Sequence, residues 1–242
     1  QHIESQDVPV VSFTWQGGEP TLLGVGFFRR VVELQQRYAG GKRIENAFQT
    51  NGVLLDEAWA EFLARHQFLV GVSIDGPQPL HDRYRVNRGG RPTFDAVMRG
   101  IDVLKRHQVA FNTLTVLTRR NSEDPLGVYR FLREAGSGFL QFIPIVERVA
   151  PRDGDAGEED GLALPGADGG GRVTPWSVDP HQFGRFLCAV FDEWVRHDVG
   201  RVFVQLFDVA LENWVFGRSS LCRFMYAPVR RVGRLPAAPE RC

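Results

Sequence analysis

Three cysteines, two lysines and two methionines are all that this chain of 242 residues holds of those types. The cysteines, Cys188, Cys222 and Cys242, are odd in number and far apart, which suits neither a disulfide framework nor a closed zinc site. No apolar run approaches the ~18 uninterrupted residues of a membrane span. The opening "QHIESQDVPV" has neither a basic n-region nor an apolar h-region, so the expected setting is the cytoplasm, with no membrane partner. Charge of one sign is also missing: 29 basic residues balance 29 acidic ones, so no global field points to nucleic acid as a partner. Lysine stands only at Lys42 and Lys105, an arginine skew that a GC-rich genome accounts for. The six histidines are scattered singly, and His81 has no acid or thiol at catalytic spacing, which argues against a histidine-centred metal or nucleophile site.

What is present is a hydrophobic content of 43%, enough for a sizeable core. Strand-like runs fall at Val10–Trp15, Arg43–Thr50, Phe68–Asp75, Ala110–Thr118 and Phe139–Ile145. Helical patterns lie between them, at Gly26–Tyr38, Asp56–His66, Thr93–His107 and Asp124–Glu134, the last ending at Gly136. This alternation predicts βαβ crossovers and a parallel sheet, either open and doubly wound or closed fully or partly into a barrel. From Glu147 to Pro175 the composition shifts to glycine and acid, as expected of a long loop or insertion. A helix follows at about Pro180–His197, then a short strand-like run at Arg201–Gln205 and a helix from Phe207 to Phe216. The tail "YAPVRRVGRLPAAPERC" has no helix or strand period and is expected to be out of register with the ancestral gene.

In both architectures chemistry gathers where parallel strands end. After the first run stands "QGGEP". Gly17 and Gly18 permit positive φ and close approach of a ligand to backbone, and Glu19 could receive a cationic amine; the plainer reading is a tight turn with a solvated glutamate. In "QTNG", Gln49 and Asn51 either donate into the same mouth or serve turn chemistry. In "VSIDGP", Ser73 faces the polar side of the strand end and could meet a ligand, while Asp75 reads as a turn cap. Arg83, Arg85, Arg88 and Arg91 crowd one loop, where one guanidinium could grip a carboxylate. Cys188 is expected in the core, on an apolar helix face, and Asp208 reads either as a catalytic acid or, the plainer reading, as a helix-start residue, where an acid favours the dipole.

The segments "FTWQGGEPTL", "FQTNGVLLDEAWAEFL", "FLVGVSIDGPQPLHDRYR", "FNTLTVLTRRN" and "FLQFIPIVE", in that order, resemble the anaerobic sulfatase-maturating enzymes. These are radical S-adenosylmethionine (SAM) proteins of the SPASM-containing branch. The resemblance implies an α/β fold, a partial (β/α)6 radical SAM barrel lacking its first strand and cluster-binding loop. It implies SAM and a 4Fe-4S cluster as cofactors, a sulfatase polypeptide as substrate, and an electron donor such as flavodoxin or ferredoxin. The reaction would oxidise a Cys or Ser to Cα-formylglycine. Carried over by position, Gly17, Gly18, Glu19, Ser73, Arg85 and Val146 would hold SAM. Gln16 looks like the substrate-facing glutamine, with Gln49 and Asn51 beside it, and Cys222 resembles the first cysteine of a C-terminal cluster domain. The CxxxCxxC motif of that family is not in this sequence, so the chain is expected to be truncated at both ends and inactive in isolation. The organisation expected is a barrel core over 1–146, an insertion over 147–175, the last helical part of the barrel over 176–221, and a remnant of a further domain over 222–242. The alternatives are another SPASM-type peptide-modifying enzyme and a non-catalytic remnant that binds SAM or a peptide.

Overall fold

A computed structural model describes residues 2–149 and 173–217. Six parallel strands, β1 (Val10–Trp15), β2 (Arg43–Thr50), β3 (Leu69–Ser73), β4 (Phe111–Leu117), β5 (Phe139–Pro144) and β6 (Phe203–Val204), form one sheet in the order β1-β2-β3-β4-β5-β6. A doubly wound sheet reverses direction at a switch point, and this one never does. Every crossover steps the same way, so the sheet curls as a barrel wall. The short run expected at Arg201–Gln205 is the sixth strand, paired with β5 through Phe139↔Phe203 and Leu140↔Val204.

Between the strands run α1 (Gly24–Tyr38), α2 (Glu57–Arg65), α3 (Gln78–His81), α4 (Phe94–Arg106), α5 (Pro125–Ala135), α6 (Pro180–His197) and α7 (Gln205–Phe216). Their ends follow side-chain chemistry. Asp56, Asp124 and Asp179 accept amide hydrogen bonds at the starts of α2, α5 and α6, and Gly136 and Gly217 close α5 and α7 in the left-handed conformation. The single turn α3 has no period that a sequence could display.

Strand alternation sorts the side chains. In β4, Phe111, Thr113, Thr115 and Leu117 are buried, while Asn112, Leu114 and Val116 are half-buried. Phe111 and Leu117 pack with Ile101, Leu104 and Leu132 of the helices, so the intervening residues line the inner face of the curl. Phe28, Phe48 and Trp59 lock α1, β2 and α2 together with ring centroids 5.1–5.6 Å apart. At the far side Asp198 joins α5 to the end of α6. It accepts from Tyr129 Oη at 2.8 Å and pairs with Arg133 and Arg201. Burial alone would raise the Asp198 carboxyl, but Tyr129 and the two guanidiniums hold it below the ordinary value.

Cys188 departs from expectation. Phe186 and Val190 hold the inner face of α6, and a residue two positions from either points the other way at 100° per residue, so Cys188 is exposed. Residues 147–148 and 173–174 are joined by an antiparallel bridge, Arg148↔Val173, and by Thr174 N donating to the Glu147 carbonyl at 2.9 Å.

Two helical glycines separate packing from propensity. A Cβ on Gly100 would stand 2.5 Å from the Gly52 carbonyl oxygen and 3.1 Å from Leu55 Cβ, whereas one on Gly184 meets nothing within 4 Å. Gly100→Ala is therefore expected to destabilise by about 1–3 kcal/mol through backbone displacement. Gly184→Ala should stabilise by roughly 0.5–1 kcal/mol through helix propensity. Thermal unfolding followed by circular dichroism checks both signs.

Candidate functional site

The ends of β1 and β2 are drawn together by one carboxylate. Glu19 caps the short turn Pro20–Leu23, its Oε1 accepting from Thr21 N at 3.1 Å and from the Thr21 and Thr50 hydroxyls at 2.7 Å each. Oε2 accepts from the Asn51 amide at 2.7 Å. Oε1 is thus filled, and Oε2 retains one lone-pair direction among these contacts. Gly17 and Gly18 sit at φ +97 and +54, exposed, with open space where a Cβ would stand. This corner therefore offers bare backbone beside a negative charge. Asn51 takes up the turn chemistry, its Oδ1 accepting from Val53 N at 3.0 Å.

Gln49 and Ser73 meet on the inner face, Nε2 donating to Oγ at 3.4 Å. Gly71 leaves room for this contact, because a Cβ there would lie 2.2 Å from Gln49 Oε1 and displace the amide. Gln16 is exposed at the end of β1, and Val146 is exposed after β5.

Asp75 is more than the turn cap expected of it. It is buried and forms a two-point pair with Arg85, Nε to Oδ2 at 2.6 Å and Nη2 to Oδ1 at 3.1 Å. Oδ1 also accepts from the Val116 amide at 2.8 Å, and the Asp75 carbonyl accepts from Asn121 Nδ2 at 3.0 Å. A hydrophilic residue after a strand gives no hint in sequence of a partner ten residues on. The alternation that placed Ser73 and Asp75 on one side was the available signal.

A hydrogen-bond chain fixes the other end of the Arg85 segment. The Asp75 amide donates to His81 Nδ1 at 3.3 Å, so the neutral ring carries its proton on Nε2 and donates to Thr93 Oγ1 at 3.2 Å. Thr93 Oγ1 then donates to the Arg85 carbonyl at 2.8 Å. A second proton on His81 would place a donor against the Asp75 amide. Burial holds the His81 pKa below its ordinary value, the Asp75 and Asp82 charges acting against that and the Arg85 charge with it.

Arg85 and Tyr84 stand between two cavities. One, of about 850 Å³, is lined among others by Gly18, Glu19, Asn51 and Arg88. The other, of about 440 Å³, is lined among others by Asp75, Val116, Ile145, Glu147 and Trp176. The expected Gly18, Glu19, Asn51 and Arg85 therefore share one concavity, while Ser73 and Gln49 lie on the inner face, and Gln16 and Val146 are exposed and are not brought into either cavity. Tyr84, Glu147 and Trp176 were not anticipated. The last two are joined to each other, Trp176 Nε1 donating to Glu147 Oε2 at 2.5 Å, a contact between residues 29 apart that no local pattern reveals.

A buried neutral histidine has a definite pH signature. Because folding depresses the His81 pKa, the unfolded chain binds the proton more readily. The contribution is complete above the ordinary value of 6.5 and is lost as pH falls from there through the folded value. Urea unfolding at a series of pH values should therefore show stability falling below about pH 6.5, with a shallower fall in His81→Gln. Equal slopes would count against this assignment.

Residues 2–132 match the family model of the Radical SAM superfamily. The chain is 45% identical over 224 residues to a serine-type anaerobic sulfatase-maturating enzyme of Bacteroides thetaiotaomicron, covering 92% of this chain and 53% of that protein. It is 36% identical over 214 residues to a cysteine-type enzyme of Clostridium perfringens, covering 87% and 53%. Among solved structures, native anSMEcpe with bound AdoMet and Cp18Cys peptide superposes with a TM-score of 0.78 at 34% identity, over 91% of this chain and 56% of that one. Streptococcus suis SuiB, at 16% identity and a TM-score of 0.52, shares the fold. The chain spans about half the length of the curated relatives it matches. Among the described residues no three of His, Cys, Asp and Glu are grouped to hold a metal, and Cys222 lies outside them. These residues therefore do not fit the iron-sulfur cluster that the resemblance implies. In sequence over 2–132 and in the curl of its six-stranded sheet, the chain belongs to the radical SAM superfamily.

Proposed function

We propose that this chain is the SAM-binding barrel of an enzyme of the sulfatase-maturating type, acting on a Cys or Ser of a sulfatase polypeptide. The observation that carries the reading is Arg85, clamped by Asp75 between two cavities at the strand ends, in a chain 45% identical to such an enzyme. Two of the five guanidinium donors are spent on Asp75, which leaves three for a ligand carboxylate. In this reading the methionyl carboxylate of SAM meets Arg85. Its ammonium lies against the Gly17–Gly18 backbone and the remaining lone pair of Glu19 Oε2. Ser73 donates or accepts from the inner face, and Val146 lies beside the adenosyl part. Gln16, Gln49 and Asn51 face the substrate. SAM, when bound and reduced by one electron from a donor outside these residues, would supply hydrogen-atom abstraction at a Cys or Ser Cβ, and the substrate must then pass one further electron to an acceptor and lose a proton on the way to Cα-formylglycine. The role of this chain's residues is to bind and orient: Asp75 and the His81–Thr93 chain fix Arg85, and Glu19 fixes the glycine corner.

The same reading divides the chain into a barrel core over 1–146, an insertion over 147–175, a last barrel portion over 176–221 and the start of a further domain over 222–242. It takes a flavodoxin- or ferredoxin-type electron donor as partner and the cytoplasm as setting. No helix among the described residues is long and apolar enough to cross a membrane.

Equilibrium dialysis with SAM tests the proposal on the chain itself. Saturable binding is expected, weakened roughly 10- to 100-fold in Arg85→Ala, the worth of a charge-assisted hydrogen bond. Arg85→Lys, which keeps the charge but not the fork, should fall between. A sulfatase-derived peptide bearing the target Cys or Ser should bind more tightly with SAM present than a scrambled peptide does. Absence of saturable SAM binding by a folded chain would overturn the SAM site, and equal binding of both peptides would overturn the substrate class.

A further inference from the structure

The opposite end of the barrel carries a third cavity. It lies where β4, β5 and β6 begin, and α7 passes over it. Its volume is about 480 Å³, with Asn112, Gln141, Phe139, Phe203 and Asp208 in its lining. Asn112 and Gln141 reach it because alternation turns them to the inner face, and Asp208 because it stands in the first turn of α7.

Two side-chain oxygens among the described residues are buried without any hydrogen-bond partner, Asn112 Oδ1 and Asp208 Oδ2. Both belong to residues lining this cavity. A buried acceptor left unpaired costs about 1–3 kcal/mol, and more when charged. Native structures retain such groups where an unseen partner satisfies them. Burial raises the Asp208 carboxyl above its ordinary value, opposed by a backbone hydrogen bond from Val204. The missing element is a donor.

The surroundings narrow the donor's chemistry. Among the described residues the ionisable side chains of the lining are two acids, Asp208 and Glu212. Phe139 and Phe203 stack at 4.8 Å with planes 12° apart, both partly exposed. Flat aromatic faces beside unpaired acceptors suit a planar cation, which stacks and donates at once. We propose that this cavity is a binding site for an arginine-like side chain: a guanidinium donating to Asp208 and Asn112, its aliphatic stem lying along Phe139 and Phe203. The site is separate from the strand-end concavity and does not depend on the function proposed for it.

The test uses the chain as it is, with N-acetyl-arginine methylamide as probe, the uncharged citrulline counterpart and bare guanidinium ion as comparisons, and calorimetric titration as readout. The arginine probe should bind saturably and more tightly than either comparison. Asp208→Asn should weaken it roughly 10- to 100-fold. Without probe, Asp208→Asn should melt no lower than the parent chain, because it removes an unpaired buried carboxylate. Equal binding of the citrulline probe, equal binding of bare guanidinium, or absence of saturable binding, which would mean a cavity filled by water alone, overturns the proposal. A lower melting temperature of the unliganded variant does the same, since it would show the carboxylate already satisfied within the chain.

Discussion

Asp75 is the point at which sheet, loop and site are held to one another. Its carboxylate accepts from Arg85 and from the Val116 backbone, its carbonyl accepts from Asn121, and its amide donates to His81. These contacts join the end of β3 to β4, to the turn after β4 and to the α3 region. Burial makes the arrangement demanding, because a desolvated carboxylate is tolerable only when each oxygen is met. Here each oxygen is met by Arg85, and Oδ1 also by the Val116 amide. The guanidinium is consequently immobilised before any ligand arrives, and a carboxylate approaching from either flanking cavity meets a donor fork whose orientation entropy is already spent. Glu19 works in the same way on the other flank, using its charge to join the segments that follow β1 and β2 and leaving the glycine backbone bare.

Both devices depend on the sheet never reversing. A parallel strand must return through a helix on the outer side, so every strand end opens onto the same rim. The helices then take one set of alternating residues as core and leave the other set facing inward. Gln49, Ser73, Asn112 and Gln141 are all polar residues of that inward set. In an antiparallel sheet the same alternation would direct successive strand ends to opposite rims, and the corner built from residues 17–19, 50–51 and 75 would not assemble.

Much of this was legible. Val10–Trp15, Arg43–Thr50 and Pro180–His197 are read from the sequence with the ends the structure gives them, because strong periods are bounded there by glycine, proline or a capping aspartate. Strand-end motifs pointed to residues 17–19, while the loop pattern left Arg83, Arg85, Arg88 and Arg91 open and only the resemblance singled out Arg85. Less legible were features that depend on distant partners. Asp75 looked like turn chemistry because its carboxylate is satisfied by residues 85 and 116. Cys188 looked buried because composition near Phe186 and Phe191 is apolar, although its angular position on the helix is not. The choice between barrel and doubly wound sheet rested on strand order, which local pattern does not encode.

The formal charge of zero conceals a polarity along the barrel. The rim where strands end carries Arg85, Arg88 and Arg91 in the lining of its larger cavity, whereas the end where strands begin carries Asp208 and Glu212. Asp208 and Glu212 reach that end on α7, which leaves the two-residue strand β6 directly and lines the same cavity as the first residues of β4 and β5. The two mouths also differ in how their charges are met. At the rim, Asp75 and Glu19 have their donors within the chain, so that end is organised in advance of a ligand. At the other end Asp208 Oδ2 and Asn112 Oδ1 have none. An unpaired buried acceptor is a cost the fold carries until a donor is supplied, so the sheet's inner face is complete at one end and waits on a partner at the other.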